Sequence, residues 1–339
     1  MKNYKFLTYL LLLTILVSCR HDRLNIDTDN IEIPDFTINR LEQDIFKMDT
    51  SNVKASTEAL VKKYGGFYSA FISGIINNGG MRDSSYEFRI KEFIHDRDMH
   101  ETYEACEKEY PNTDELKSEL TAVFKRFKYH FPDRKLPKVT TMISGYQNSS
   151  VIFDSTLAIG LEMYLGSNNK FYQMLAWPKY KTSYMNKENM VPDATRIWMM
   201  NEFPYNMNKS DFLSEITYIG KIMYLEDALL PPTVNDTTKI QYTGAQMDYC
   251  IQNEFNVWSY FAAQKLLYTT DQAEIMKFTA DGPFTSALSK ESAPRIGYWI
   301  GWQIVRQYMN NNPNIPLQKL MEENDAQVIL NKAKYKPGK

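Results

Sequence analysis

Apolar positions recur at helical spacing over most of the chain and take on a strand-like character in only one stretch. Ile38, Leu41 and Ile45 are spaced as a helix face in INRLEQDIFKM, and Leu116, Leu120, Val123 and Phe124 face one side after the turn signal Pro111-Asn112-Thr113-Asp114. Asn77-Asn78-Gly79-Gly80 breaks the charged helical region between them. At Phe131-Pro132 the character changes. Lys138 to Ser144 (KVTTMIS) is rich in β-branched residues, and Val151 to Asp154 and Ser155 to Gly160 (STLAIG) follow across polar turns, which predicts two or three neighbouring strands. Beyond Gly166 the spacing is helical again over Val191 to Glu202, Ser210 to Leu230, Gln246 to Tyr268 and Ile296 to Asn310, with Gln318 to Tyr335 as a terminal helix. No period of roughly 20 to 50 residues repeats, so the chain is not a solenoid. The expected fold class is α+β, predominantly α, with a helical N-terminal region over 36–130 and a helical domain with a small two- or three-stranded sheet over 131–335.

Three features inside these helices go beyond spacing. Ser210 is placed to cap the helix that follows it, Asp211 complements the positive helix end, and Phe212, Ile216, Ile219 and Met223 form a stripe before Pro231-Pro232 ends the run. From Gln246 onward, Met247, Cys250, Ile251, Trp258, Phe261 and Ala262 share a face, with Glu254 in its middle. A buried acid there needs a cationic or hydrogen-bonding partner, or its pKa must rise until it is neutral. Gly297 and Gly301 lie four apart on one helix face. Each glycine costs ~1 kcal/mol relative to alanine in a helix interior, so a close backbone crossing is expected to compensate.

The N-terminus sets the compartment. MKNYKFLTYLLLLTILVSC places Lys2 and Lys5 before an apolar run that is too short for the ~20 residues a membrane span needs, and reads as an export signal. Leu16-Val17-Ser18-Cys19 has the form of a bacterial lipobox. The expected boundaries are a lipoprotein signal peptide over 1–18, acylation at Cys19, and a lipidated tether over 19–35. Arg20, rather than aspartate, follows the cysteine and favours the outer membrane over inner-membrane retention. The full chain has 39 basic and 41 acidic residues; loss of Lys2 and Lys5 leaves 37 against 41, a net charge of −4 with no global field for nucleic acid. Of three cysteines only Cys106 and Cys250 then remain, free or as one pair, which excludes a disulfide scaffold or a Cys-rich zinc site.

Four histidines limit the chemistry further. A zincin metalloprotease presents two imidazoles one turn apart, with a glutamate beside the first to polarise a metal-bound water. No HExxH occurs here, and His95 and His100, five apart, would point about 140° away from each other on a helix. Asp96 and His100 share a face, yet HDRDMHE reads as a solvated surface, and His130 beside Phe131-Pro132 reads as structural. GxSxG, SxxK, a phosphate-cradling loop and a dinucleotide fingerprint are all missing. Carboxylates including Asp154, Glu162, Glu202, Glu215, Glu254 and Asp281 are plentiful, but no spacing selects a pair, so a carboxylate-based hydrolase stays open.

Several stretches resemble one family. PKVTTMISGY (137–146), STLAIGLEMYLG (155–166), YMNKENMVPDATR (184–196), YIGKIMYLEDALLP (218–231) and ESAPRIGYWIGWQIVRQYM (291–309) are similar to the gliding motility lipoprotein GldB family of Bacteroidota, with LAIGLEMYLG and APRIGYWIGWQIVR the most distinctive. The resemblance runs from near residue 38 to the C-terminal helix. It implies an outer-membrane lipoprotein facing the periplasm or the cell surface, linked to gliding motility or the type IX secretion machinery, with no established catalytic activity.

The family also resembles degenerate, zincin-like relatives of predicted zinc-dependent proteases. On that likeness the strands over 138–160 precede the place of the metal helix after Pro192, IGKIMY (219–224) stands in the place of an EGxA segment, and Gly297 to Gly301 match a helix packed behind. The match fails at the chemistry, because no histidine follows His130 and Ile219 stands where a ligand glutamate is expected. The resemblance therefore implies a zincin-like domain without catalytic residues, metal or cofactor. Its cleft, between the 138–160 strands and the helices at 191–224, would take a peptide, a cell-wall fragment or a partner loop, and an edge strand there would suit strand addition. Glu202, Lys221, Glu254, Arg295 and Tyr298 are the candidate lining residues, with a buried ion pair from Glu254 to Arg295 or Lys221 as the structural alternative. Expected partners are the membrane, through the lipid on Cys19, and envelope or secretion-machinery proteins; the competing reading is an envelope hydrolase, carboxylate-based or a cryptic metallopeptidase.

Overall fold

The computed structural model describes residues 23–205 and 211–338. The signal segment, Cys19, His21 and the Ser210 cap lie outside the described residues. Strand β1 (Ile38–Arg40) leads into α1 (Leu41–Phe46), followed by α2 (Val53–Tyr64), α3 (Tyr86–His95), α4 (Arg97–Glu109) and α5 (Asp114–His130). Strands β2 (Lys138–Met142), β3 (Ser150–Phe153) and β4 (Thr156–Gly160) come next. The rest is helical: α6 (Lys187–Glu202), α7 (Phe212–Leu229), α8 (Asp236–Ile240), α9 (Gly244–Ala263), α10 (Gln272–Thr279), α11 (Ile296–Asn311), α12 (Leu317–Glu322) and α13 (Ala326–Ala333), with shorter turns between some of them. The fold is α+β and predominantly helical, as the sequence pattern indicates.

The sheet has four strands in the order β1-β2-β4-β3, one more than expected. β1 and β2 are parallel, as are β2 and β4, while β3 runs antiparallel to β4. Residues 38–40 were expected to open a helix. Their backbones instead pair with Val139, Thr140 and Thr141, and the helix starts only at Leu41. Three residues carry too little periodicity to separate the two states, and the long-range ladder decides. Both edge strands are short, which limits them as templates for an added strand.

Alternation along the sheet sorts two cores. Val139, Leu157 and Ile159 face the main cluster with α5, α6, α7 and α11, whereas Met142 and Ala158 face Leu41, Ile45, Phe67, Phe71, Ile90 and Ile94. The sheet thus lies between α1–α3 on one side and α4, α5 and the C-terminal helices on the other. Val191, Ala194 and Trp198 of α6 belong to the main cluster, so the space between the strands and α6–α7, expected as a cleft, is packed core. Buried acids tie the layers together. Glu42 accepts from Arg40 Nε at 2.7 Å and from Thr141 Oγ1 at 2.8 Å. Glu162 accepts from the Ser144 and Tyr146 amides at 2.7 and 3.2 Å, shaping the turn after β2. Burial outweighs these bonds and pushes the Glu162 carboxyl up to about 7.

Helix α7 is apolar nearly all round and is buried along most of its length, unlike the single stripe expected of it. Asp211 caps it by accepting from the Ser214 amide. Its partner is α11, and the two backbones cross at glycines. A Cβ on Gly220 would lie 2.3 Å from the Gly301 carbonyl oxygen, and one on Gly301 would lie 1.8 Å from that of Ile216. The expected crossing is present, with Gly220 as its unforeseen third glycine. In α9 the buried seam is Met247, Cys250, Val257 and Phe261, while Ile251, placed on it by spacing, is exposed. The expected single C-terminal helix is two, because the Asp325 side chain accepts from the Gln327 and Val328 amides and starts a new one. Cys106 and Cys250 are free, buried thiols.

Gly301→Ala is expected to lower unfolding stability by about 3 kcal/mol or more, because backbone rather than a movable side chain meets the new methyl. Gly244→Ala, at a helix start with open space around it, serves as the control and should be neutral or stabilising in the same denaturant titration.

Candidate functional site

Behind the sheet, α6, α7, α8 and α11 bring acids and bases together in the interior. The Arg196 guanidinium on α6 meets Glu226 on α7 at 3.2 Å and Asp193, one turn back on its own helix, at 3.7 Å. It also donates to the Lys239 carbonyl. Asp193 accepts from Tyr164 at 3.0 Å and from Gln241 at 2.6 Å. Asp227 on α7 receives Arg306 Nε at 2.8 Å, the Trp302 indole at 2.9 Å and Lys239 Nζ at 2.9 Å. Asp236 closes the group, accepting from Arg306 at 2.7 Å and from Lys239 at 3.2 Å. Burial pushes the Glu226 carboxyl up to about 7 against the pull of Arg196.

Every carboxylate in this cluster is thus directed at a base or a hydrogen-bond donor. Among the described residues no three His, Cys, Asp or Glu side chains are grouped to hold a metal. Between Asp193 and Glu226 stands Arg196, a permanent cation supplied by the chain itself. These residues do not fit a zinc ion. Asp96, considered above with His100, caps α4 by accepting from the Met99 amide, and His100 is exposed. His130 is held neutral, its pKa lowered to about 4 by burial and by the nearby charges of Arg23 and Arg126.

A cleft of about 270 Å³ opens on the far side of α6 and α7, against α12 and α13. Its walls include Arg134, Glu202, Phe203, Tyr205, Tyr218 and Lys221. Glu202 accepts from Arg134 at 2.7 Å and from the Trp198 indole at 3.3 Å, and Arg134 lies over the Phe203 ring at 4.3 Å. The Tyr205 and Tyr218 rings pack 4.9 Å apart. Lys221 donates to the Glu323 carbonyl at 2.9 Å and the Met321 carbonyl at 3.5 Å, where α12 ends. Burial lowers its pKa to about 8 despite the charge of Glu323. The cleft therefore offers Arg134 and the buried Lys221, an aromatic pair, and three acids, Glu202, Glu322 and Glu323, the first two of them ion-paired.

Two of the five residues singled out from the sequence, Glu202 and Lys221, line this cleft, while the other three lie elsewhere. Glu254 accepts from the Tyr335 hydroxyl at 2.6 Å, so its partner is neither Arg295 nor Lys221. Arg295 starts α11, donates to Gln241 and the Ile240 carbonyl, and lies 3.7 Å from Asp281. Tyr298 sits beside Glu215 and Thr279. Arg134, Tyr205 and Asp236 fall outside the stretches that resemble the family, whereas Tyr218, Asp227 and Arg306 fall within them with no spacing that marks a role.

The architecture defines a predominantly helical α+β domain with a neutralised ionic interior and a small polar–aromatic cleft. The family model of gliding motility protein GldB matches residues 21–337, and the chain belongs to that family, whose designation is that of a lipoprotein. No curated protein and no solved structure matches it. Among the described residues no helix is long and apolar enough to cross a membrane.

The lowered pKa of Lys221 has a definite sign. Between about pH 8 and 10.5 the unfolded chain holds a proton that folded Lys221 has lost, so its contribution to stability rises with pH across that window. Chemical denaturation at pH 8 and pH 10 should show wild type gaining about 2 kcal/mol relative to Lys221→Met. An equal pH response in the two proteins would refute the assignment.

Proposed function

We propose that this chain is a non-catalytic, outer-membrane lipoprotein of the gliding-motility or type IX secretion apparatus, and that it binds a partner loop or an envelope peptide in the cleft beside Lys221. The observation that supports this reading most is the state of the interior acids. A general acid or base needs a titratable group within reach of a substrate, yet Asp193, Glu226, Asp227 and Asp236 are tied to Arg196, Lys239, Arg306, Tyr164 and Gln241. A zincin-like ancestry is consistent with this arrangement, with Arg196 filling the middle of the α6–α7 acids.

The cleft has what recognition requires without chemistry. Arg134 and Lys221 supply donors for a carboxylate or a backbone carbonyl, and the Tyr205–Tyr218 pair supplies apolar area with polar tips. Acylation at Cys19, with Arg20 behind it, supports placement at the outer membrane.

Cross-linked capture of the anchored protein from its own envelope tests the reading. Wild type should recover a discrete set of proteins or cell-wall fragments, and Arg134→Glu/Tyr205→Ala should recover at least roughly tenfold less while remaining folded and membrane-bound, as expected when charged and aromatic anchors at a site are lost. Identical capture by both proteins, or nothing but envelope background from wild type, would sink the cleft assignment.

A further inference from the structure

The described chain starts at Arg23, only four residues beyond Cys19, so an acyl group there keeps Arg23 within about 14 Å of the bilayer surface. Arg23 is pinned to the body, donating to the Met309 carbonyl at 3.2 Å and the Ile315 carbonyl at 2.5 Å, past the C-terminal end of α11. Its charge also reaches His130, the last residue of α5. The following residues run along α5, with Lys125 donating to the Thr28 carbonyl and Phe36 packing on Phe124. The C-terminal end of α5 therefore lies at the tether.

That end is strongly basic in a chain that is acidic overall. Residues 125–138 carry six Lys or Arg and one acid, Asp133; with Arg126 buried and Arg134 paired to Glu202, four lysines supply the basic face. Lys128, Lys135 and Lys138 line a groove of about 700 Å³, the size of a small-molecule pocket, with Phe36, Phe124, Asp35 and Asp133 also in its walls and Arg134 there paired with Glu202. Lys135 and Lys138 are exposed, and Tyr129 presents an aromatic ring that is 55% exposed beside them in sequence. Clustered lysine and arginine next to a membrane anchor attract anionic headgroups, and a tyrosine suits the interface.

We infer that the α5 C-terminal end and the 132–138 loop form the membrane-apposed face, which binds anionic phospholipid headgroups and orients the domain. This rests on anchoring at Cys19 and goes beyond the cleft reading. The basic face is a second membrane contact beside the acyl group, of the kind that makes lipid anchoring stable. It also fixes which surfaces point away from the bilayer. Lys290, before the start of α11, is separated from the tether end by a 16-residue helix, about 24 Å.

The test uses the mature, acylated protein in vesicles of phosphatidylcholine with or without phosphatidylglycerol, with amine acetylation rates read by mass spectrometry. Lys135 and Lys138 should react roughly threefold or more slowly when phosphatidylglycerol is present, and Lys290 equally in both. About 1 M salt, where the Debye length is ~3 Å, should abolish the difference. Anchored protein with Lys135 and Lys138 reacting alike in both vesicles, or slowed no more than Lys290, overturns the proposed face. Protein that fails to float with either vesicle overturns the anchoring on which it rests.

Discussion

The fold depends on one close approach, the crossing of α7 and α11 at Gly220 and Gly301. A buried helix with apolar residues on nearly all sides needs neighbours all round it, and here the nearest neighbour is another backbone. The glycines forgo helix propensity at ~1 kcal/mol each, and in return the helices meet with no side chain between them. That spacing has consequences further along both helices. Two turns beyond Gly220, Asp227 is brought against Trp302 and Arg306 of α11, and Glu226 against Arg196 of α6. The ionic interior can close only because the crossing holds those helices in place.

Closure of that interior commits its acids to partners supplied by the chain itself. Burying several charges is costly unless each finds a partner of opposite sign and the remaining polar atoms are hydrogen-bonded. Asp227 meets that condition with four donors from three residues on two helices. Groups held in this way give a unique arrangement of helices and little freedom to take up or release a proton at a substrate. At the surface, Lys221 and Arg134 line a cleft at one side of α7, and Lys135 and Lys138 line a groove near the C-terminal end of α5.

What could be read in the sequence was what is local. Strands β2 to β4 announced themselves through β-branched residues and turns, and Gly297 and Gly301 through their cost in a helix. Glu254, an acid in an apolar seam, correctly demanded a partner, but the partner, Tyr335, lies 81 residues away on the C-terminal tail. β1 is three residues long and takes its identity from pairing with β2, so helical spacing in Ile38, Leu41 and Ile45 misled. The ionic cluster draws its members from four helices between residues 193 and 306; most of them fall within the family-like stretches, but no spacing along the chain shows that they meet. Glu202 and Lys221, expected to line a cleft between the strands and α6–α7, line one instead on the side facing α12 and α13.

The central claim is that the interior acids are structural. Its most direct measurement is hydrolysis by the purified protein, assayed as new amines or reducing ends released from envelope protein and peptidoglycan, alongside Asp193→Asn and Glu226→Gln. The expected result is no turnover above buffer for wild type or either variant. Turnover by wild type that disappears in a folded Glu226→Gln or Asp193→Asn protein would contradict it.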